Sequence, residues 1–307
     1  MIRFAVYALA PLALLVTLAA GASLLDNGLL RLTGDILPLH KLISKTTLVL
    51  LILSVFPLKR RLHFSWTDLG FAPRAVFFRQ VWRGLLLGLV TLLPVLLALY
   101  LLDVHVWDST RHWTAGKVLE KVGLGLFFAM LIAVGEELLF RGMLLSIFRR
   151  KMPLGIAIVL CSVYFAALHF LKPSSHIAYA ELEWDSGFQL MMEAFANWLN
   201  PAILSSFLAL LMVGVFLAVL RSRVPQSLGL CIGCHAAWVW QIKISRDLFN
   251  VNLQADFLYL VNTYYDGVVG PLVTVWLASA LLVYWLWSRC RYTASCRGGE
   301  TKAGSAA

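Results

Sequence analysis

Six stretches of about 20 residues run through this chain almost free of charge: Phe4–Leu25, Gly84–Leu102, Val122–Phe140, Pro153–Leu171, Pro201–Leu220 and Val268–Trp287. A helix that long spans the roughly 30 Å hydrocarbon core of a bilayer, and only helices and closed barrels satisfy their backbone polar groups in lipid. Two weaker runs bring the expected number of spans to eight: Leu42–Leu58, with Lys45 near its start, and Val224–Ile242, with Gly229, Gly233 and His235. The expected fold class is all-α, a polytopic membrane protein with about eight transmembrane helices around a buried Glu/His/His site. Composition agrees. Hydrophobic residues are 60% of the 307 and charged residues 14%, against roughly 45–50% and about 25% in soluble domains. So little charge, with 12% aromatics, also excludes disorder.

Lys and Arg number 26 against 16 Asp and Glu, a net charge of +10. In a soluble protein that surplus would point to nucleic acid. In a membrane protein it sorts loops, because cytoplasmic loops retain Lys and Arg. With the N-terminus inside, most basic residues fall in inside loops, including the group Lys59, Arg60, Arg61, Arg74, Arg79 and Arg83. The expectation is a multi-pass protein of a bacterial-type cytoplasmic (inner) membrane with both termini cytoplasmic, the bilayer as partner and no nucleic acid. Lys59–Arg83, with Trp and Phe interleaved among its charges, reads as an interfacial helix on anionic headgroups. Arg3, an apolar run and Ala20-Gly21-Ala22 have the shape of a secretory signal. The run is longer than a usual signal core, so it reads as a retained anchor. The segment Lys172–Asn200 carries Glu181, Glu183, Asp185 and Glu193 among aromatics and reads as an interfacial helix, with a lid as its functional alternative.

Charge inside a bilayer costs at least a few kcal/mol, so intramembrane carboxylates and imidazoles mark function by default. Here they are Glu136, Glu137 and Arg141 on the fourth span, His169 on the fifth and His235 on the seventh. Glu137 and Arg141, four apart, share a helical face and neutralise each other. Glu136 is rotated about 100° from that pair and is presented elsewhere. Held away from water, it suits a general base. Glu136 lies 16 residues before Met152, the expected hairpin turn, and His169 lies 17 after it, so both sit at similar depth. His235 lies 11 residues into its span, at roughly 16 Å from its start.

Gly135-Glu136-Glu137-Leu-Leu-Phe-Arg141 resembles the EExxxR motif of the CAAX protease and bacteriocin-processing (CPBP, Abi-type) family. Phe165-Ala-Ala-Leu-His169 resembles its FxxxH motif, and His235 the histidine opening its HxxxN motif. Trp66-Thr-Asp-Leu-Gly70-Phe is similar to the segment preceding the family's core. The resemblance divides the chain into an N-terminal transmembrane pair (1–65), a protease-like core (66–242) and a last loop, span and cytoplasmic tail (243–307). It implies an intramembrane glutamic endopeptidase without cofactor or metal. Glu136 would activate a water held with His169, His235 would stabilise the oxyanion, and Glu137, Arg141 and Phe165 would orient them. The substrate would be a membrane-anchored protein or peptide, cut near a prenylated-type C-terminus, a leader or a sorting signal. One position departs: the motif's closing Asn is Val239, which has no side-chain donor. Trp238 or another donor then takes its place, or the chain is a weak or inactive relative acting as a membrane partner or immunity protein.

Other chemistries stay open on the residues alone. Cys231-Ile-Gly-Cys234-His235 spells the C-x-x-C-H of covalent haem attachment. Glu136, His169 and His235 are also donors that zinc or iron accepts. No GxSG-like serine motif occurs, and Tyr265-Asp266 and Gly34-Asp35 stand in the reverse of the aspartyl-type order. The five cysteines form no disulfide framework. Cys161, Cys231 and Cys234 are expected in the membrane, Cys290 and Cys296 in the tail.

Overall fold

The computed structural model describes residues 2–34 and 37–303, with side chains over 5–34 and 37–289; the side chains of Cys290 and Cys296 lie outside the described residues. Ten α-helices follow in order among the described residues. The first three are α1 (Ile2–Thr33), α2 (Leu39–Arg61) and α3 (Arg74–Leu101). Next comes α4 (Ala115–Glu137), which runs without a break through a π-helical segment (Leu138–Leu144) into α5 (Leu145–Lys151). The rest are α6 (Leu154–Leu168), α7 (Ser186–Ala196), α8 (Leu204–Arg223), α9 (Leu228–Leu248) and α10 (Pro271–Ala303). Two short strands, β1 (His105–Trp107) and β2 (Phe249–Val251), pair antiparallel. Pro38, Pro73 and Pro153 sit directly before α2, α3 and α6, where a fixed φ and a missing N–H are harmless.

Six helical rods are long and apolar enough to cross a membrane: α1, α2, α3, the α4–α5 rod, α8 and α10. The shorter α6 is apolar. The weak signal at Val224–Ile242 has a physical cause: α9 is the central helix. Its Leu228, Cys231, Cys234, His235, Trp238 and Gln241 are all buried against protein, so it needs no continuous lipid-facing surface. The outer rods carry that surface, with Val90, Leu97, Leu119, Phe127, Leu131 and Val283 more than half exposed.

Close approach seats α9. Gly84 and Gly88 on α3 face Gly229 and Gly233 on α9. A Cβ on Gly84 or Gly233 would strike the carbonyl oxygens of Leu230 and Val81, and one on Gly88 would lie 2.5 Å from the Cys234 carbonyl. Small residues four apart let two helix backbones touch in this way. Cys231, whose thiol donates to the Leu217 carbonyl on α8, and Cys234 are completely buried free thiols, which leaves no access for covalent haem attachment.

One expectation changes, and a second gains its packing partner. Lys59–Arg83 forms no separate interfacial helix: its basic residues end α2 and begin α3, joined by a tight turn at 62–73. The physical reason is anchoring. Asp68 Oδ2 accepts the Ser65 backbone N–H at 2.8 Å, the Asp68 carbonyl accepts from Arg221 Nη2 and Ser146 Oγ, and the Gly70 carbonyl caps Leu228. Gly70 has φ +98°, and the Arg221 guanidinium occupies the place a Cβ would take. Asp68 accordingly titrates below the usual carboxylate range, held chiefly by its Ser65 hydrogen bonds. The segment Lys172–Asn200 does contain a helix, but α7 is docked on α1. Asn27 Nδ2 donates to the Glu183 carbonyl, Arg31 Nη2 to the Leu182 carbonyl, and Gly187 abuts Ser23. Ala20–Ala22 lies within the unbroken α1, with Ala22 fully buried.

Replacing Gly233 by Val forces backbone apart and should destabilise the protein by more than the roughly 1–3 kcal/mol of ordinary overpacking. Gly123 has open space around its Cβ position, so Gly123→Ala should be neutral or stabilise by about 0.5–1 kcal/mol. Thermal unfolding in detergent, followed by loss of the monodisperse peak, reads both.

Candidate active site

Glu136 and Glu137 end α4 where the helix widens. The π segment Leu138–Leu144 buries six of its seven residues, and single π turns of this kind recur at functional sites. The Phe140 carbonyl accepts the Leu145 N–H across the wide turn and also the Cys161 thiol at 3.3 Å. The turn is thus tied to α6, the helix that carries Phe165 and leads into His169.

The two neighbouring carboxylates have opposite circumstances. Glu137 and Arg141 are both 0% exposed, with Oε1 2.8 Å from Nη1. Arg141 also donates from Nη2 to the Gly214 carbonyl at 3.3 Å and lies 4.3 Å above the Phe165 ring. Glu137 Oε1 takes a second hydrogen bond, 2.8 Å from His235 Nδ1. Spacing alone placed Glu137 with Arg141; its link to His235 crosses between helices and leaves no trace in either motif.

Glu136 points to the other side, at 16% exposure, with no protein hydrogen bond to its Oε2. That oxygen stands 3.9 Å from His169 Nε2 and 3.8 Å from His235 Nε2. Both rings are oriented from behind. His169 Nδ1 lies 2.7 Å from the Phe165 carbonyl, which only accepts, so Nδ1 carries the proton and Nε2 faces Glu136. His235 is turned the same way by Glu137. Phe165 packs between them, its centroid 4.7 Å from His169 and 5.8 Å from His235. Separations of 3.8–3.9 Å exceed a direct hydrogen bond, so Glu136 and the two rings do not bond one another directly. The structure therefore brings Glu136, His169 and His235 together, with Glu137, Arg141 and Phe165 behind them.

Two cavities meet at this cluster. The first, about 240 Å³, reaches from Glu136, Phe140 and His169 between α1, α2 and α7, and its walls include Leu51, Met191 and Phe195. The second, about 220 Å³, lies between α3, α8, α9 and α10 and is lined by Phe165, His169, His235, Trp238 and Val239. Val239 faces this second cavity as an apolar wall. Trp238 does not replace the missing donor, because its indole N–H donates to Thr91 Oγ1 at 2.8 Å. Among the described residues no three His, Cys, Asp or Glu side chains are grouped to hold a metal ion. Sequence reasoning weighed a lid at Lys172–Asn200 and read Tyr265-Asp266 only as half of a misordered aspartyl-type pattern; α7 lines the first cavity, and Tyr265 and Asp266 line the second.

Fold and site together define an all-α polytopic membrane protein with one carboxylate and two imidazoles converging inside its helices. Residues 118–241 match the model of the family described as type II CAAX prenyl endopeptidase Rce1-like. That segment carries all three motif positions and is less than half of the chain. It is the CAAX-protease grouping that the motifs resemble, and it supports an intramembrane endopeptidase in general, acting on a protein or peptide substrate in the bilayer. No curated protein and no solved structure matches the chain.

Removing one partner of a fully buried ion pair leaves an uncompensated charge and costs about 3–5 kcal/mol. Arg141→Leu should lose that much stability. Glu137→Leu/Arg141→Leu should recover most of it, yet stay inactive because His235 loses its orienting carboxylate. Chemical denaturation in detergent and a cleavage assay on the two variants separate these outcomes.

Proposed function

We propose that this protein is a glutamate-type intramembrane endopeptidase. The carrying observation is the position of Glu136 Oε2 between the Nε2 atoms of His169 and His235. A water placed there is hydrogen-bonded by Glu136 and His169. Glu136 takes its proton as the oxygen attacks the scissile carbonyl, and His235, as the imidazolium with Nδ1–H on Glu137, donates Nε2–H to the oxygen that becomes negative. Glu136 then returns the proton to the leaving amine. Glu137 holds His235, Arg141 holds Glu137, and Phe165 fixes the spacing of the two rings. A carboxylate general base with pre-aimed polar groups is what amide hydrolysis requires.

The first cavity supports a substrate that presents an apolar group beside the scissile bond, since aliphatic and aromatic side chains of α1, α2 and α7 surround Glu136 there. Membrane-anchored proteins cut near a prenylated-type C-terminus, a leader or a sorting signal all meet that requirement. The core 66–242 carries Glu136, His169 and His235 and much of the cavity walls, which α1 and α2 complete on the first cavity and α10 with the loop before it on the second. The protein acts in the cytoplasmic (inner) membrane with both termini cytoplasmic. Val239 motivates a second reading, a weak or inactive relative serving as a membrane partner or immunity protein. That reading requires the wild type to bind membrane peptides without cutting them.

In proteoliposomes, Glu136→Gln should reduce cleavage of quenched membrane peptides by about 100–10,000-fold, and His169→Ala by a similar order. Unchanged cleavage by both variants rejects the mechanism. Ala194 lines the first cavity; Ala194→Trp should raise KM for bulky apolar substrates while leaving kcat for short ones intact.

A further inference from the structure

A tetrahedral intermediate places a full negative charge on the former carbonyl oxygen, and each pre-aimed donor there is worth about 100–1,000-fold in rate. Near His235 the central helix is short of donors, since Lys243 and Arg246 line the second cavity eight and eleven residues further along the helix, roughly 12 and 16 Å away. His235 gives Nδ1 to Glu137, which leaves Nε2 as the one ring atom able to face an oxyanion. One turn further on, Val239 offers none. The Trp238 indole N–H is held by Thr91, whose own hydroxyl donates to the Leu87 and Gly88 carbonyls. The amide nitrogen of Gln241 donates to the carbonyls of Gly88 and Ala237.

The second cavity has another wall. The chain between β2 and α10 passes along it and brings Tyr265 among Phe165, His169, His235 and Val239. We propose that the Tyr265 hydroxyl is the second oxyanion donor, supplied from this loop in place of the side chain missing at Val239. The proposal deepens the reading of Glu136 as general base and depends on it.

The loop is built to hold a side chain still. Asn262 Oδ1 accepts the N–H groups of Tyr264 and Tyr265 at 2.9 and 3.2 Å, and Asn262 Nδ2 donates to the Ala202 carbonyl and Ser205 Oγ. Asp266 Oδ1 accepts from Val268 and Val269 at 2.9 and 2.7 Å. His105 Nε2 is 2.9 Å from the Gly267 carbonyl, which fastens the loop to β1. The Tyr265 ring lies 5.2 Å from Phe170, the residue after His169, with the Lys172 ammonium 5.3 Å from its centroid. Against this network, the Tyr265 hydroxyl makes no hydrogen bond among the described residues. Burial first, then the carboxylates of Asp266 and Glu136, push its pKa well above the usual phenol value. The group therefore stays O–H, the form that donates.

The test is a mutant cycle in proteoliposomes, using a quenched peptide ending in a farnesylated CAAX sequence and a second quenched peptide with a transmembrane leader. Tyr265→Phe keeps the ring and should lower kcat about 100–1,000-fold, with KM within about twofold and the melting temperature unchanged. Val239→Asn should gain at least about tenfold in the Tyr265→Phe background and less than about threefold in the wild type. Wild-type kcat in Tyr265→Phe, beside an inactive Glu136→Gln, overturns the tyrosine assignment and leaves the general base standing. A loss confined to KM, without rescue by Val239→Asn, also overturns it. Full cleavage by Glu136→Gln, or no cleavage of either peptide by the wild type, overturns both. Should Tyr265→Phe fail to fold, Val239→Asn alone decides: a gain above about tenfold in the wild type shows an unmet need for a donor and rejects Tyr265.

Discussion

A charged pair with no exposed surface at all sets the terms for this protein. Arg141 and Glu137 lie at 0% exposure, and desolvating two ions costs several kcal/mol each unless their remaining hydrogen-bonding capacity is met. Each partner meets part of it and fixes another helix, while Glu137 Oε2 and Arg141 Nε stay buried without a hydrogen bond. Gly214 ties in α8, Phe165 covers the guanidinium from α6, and His235 bonds the same carboxylate oxygen from α9. Four helical segments are thereby held at one point. Moving any of them exposes a buried charge, which ties the geometry of Glu136, His169 and His235 to the stability of the core.

The second constraint is steric and makes the first attainable. His235 reaches Glu137 because α9 lies against α3 with glycines on both sides of the contact, at 84, 88, 229 and 233. Larger residues would push α9 outward by more than the length of a hydrogen bond tolerates. Glycines that weaken a transmembrane signal therefore strengthen the tertiary one. The widened turn at Leu138–Leu144 completes the arrangement, since it keeps Arg141 facing Glu137 while Phe140 turns its carbonyl to Cys161 on α6.

Hydropathy located the long helices because lipid imposes one length and one polarity on each outer rod. Charge rarity singled out Glu136, Glu137, Arg141, His169 and His235, and helical spacing separated the two glutamates into a paired one and a free one. What stayed hidden depends on contacts between segments distant in sequence. The Glu137–His235 bond joins residues 98 apart. The docking of α7 on α1 rests on backbone carbonyls, which no side-chain pattern advertises. The interfacial helix expected at Lys59–Arg83 failed for a related reason: the Asp68–Gly70 turn is fastened by Arg221 and Leu228, so the chain folds back there and the charges extend existing helices. Two glycine pairs spaced by four, at 84/88 and 229/233, were the one legible signal for the α3–α9 contact.

Adjacent carboxylates doing different work is a recurring solution to acid–base chemistry at neutral pH, because environment and not residue type assigns the role. Here the environments differ by one step of helical rotation. Glu137 faces inward to a guanidinium and an imidazole Nδ1; Glu136 faces the first cavity, its Oε2 3.9 and 3.8 Å from the Nε2 atoms of His169 and His235. The walls of the two cavities come from both inside and outside residues 118–241: α6, α7, α8 and most of α9 lie within that segment, while α1, α2, α3, α10 and the loop before it lie outside. On the proposed mechanism, substitutions in the α1 and α2 walls of the first cavity change which peptide enters, while α4, α6 and α9 leave the carboxylate and its two imidazoles where they are. A family motif can therefore lose its terminal asparagine and keep its geometry, provided that a neighbouring segment of the same cavity wall supplies the donor.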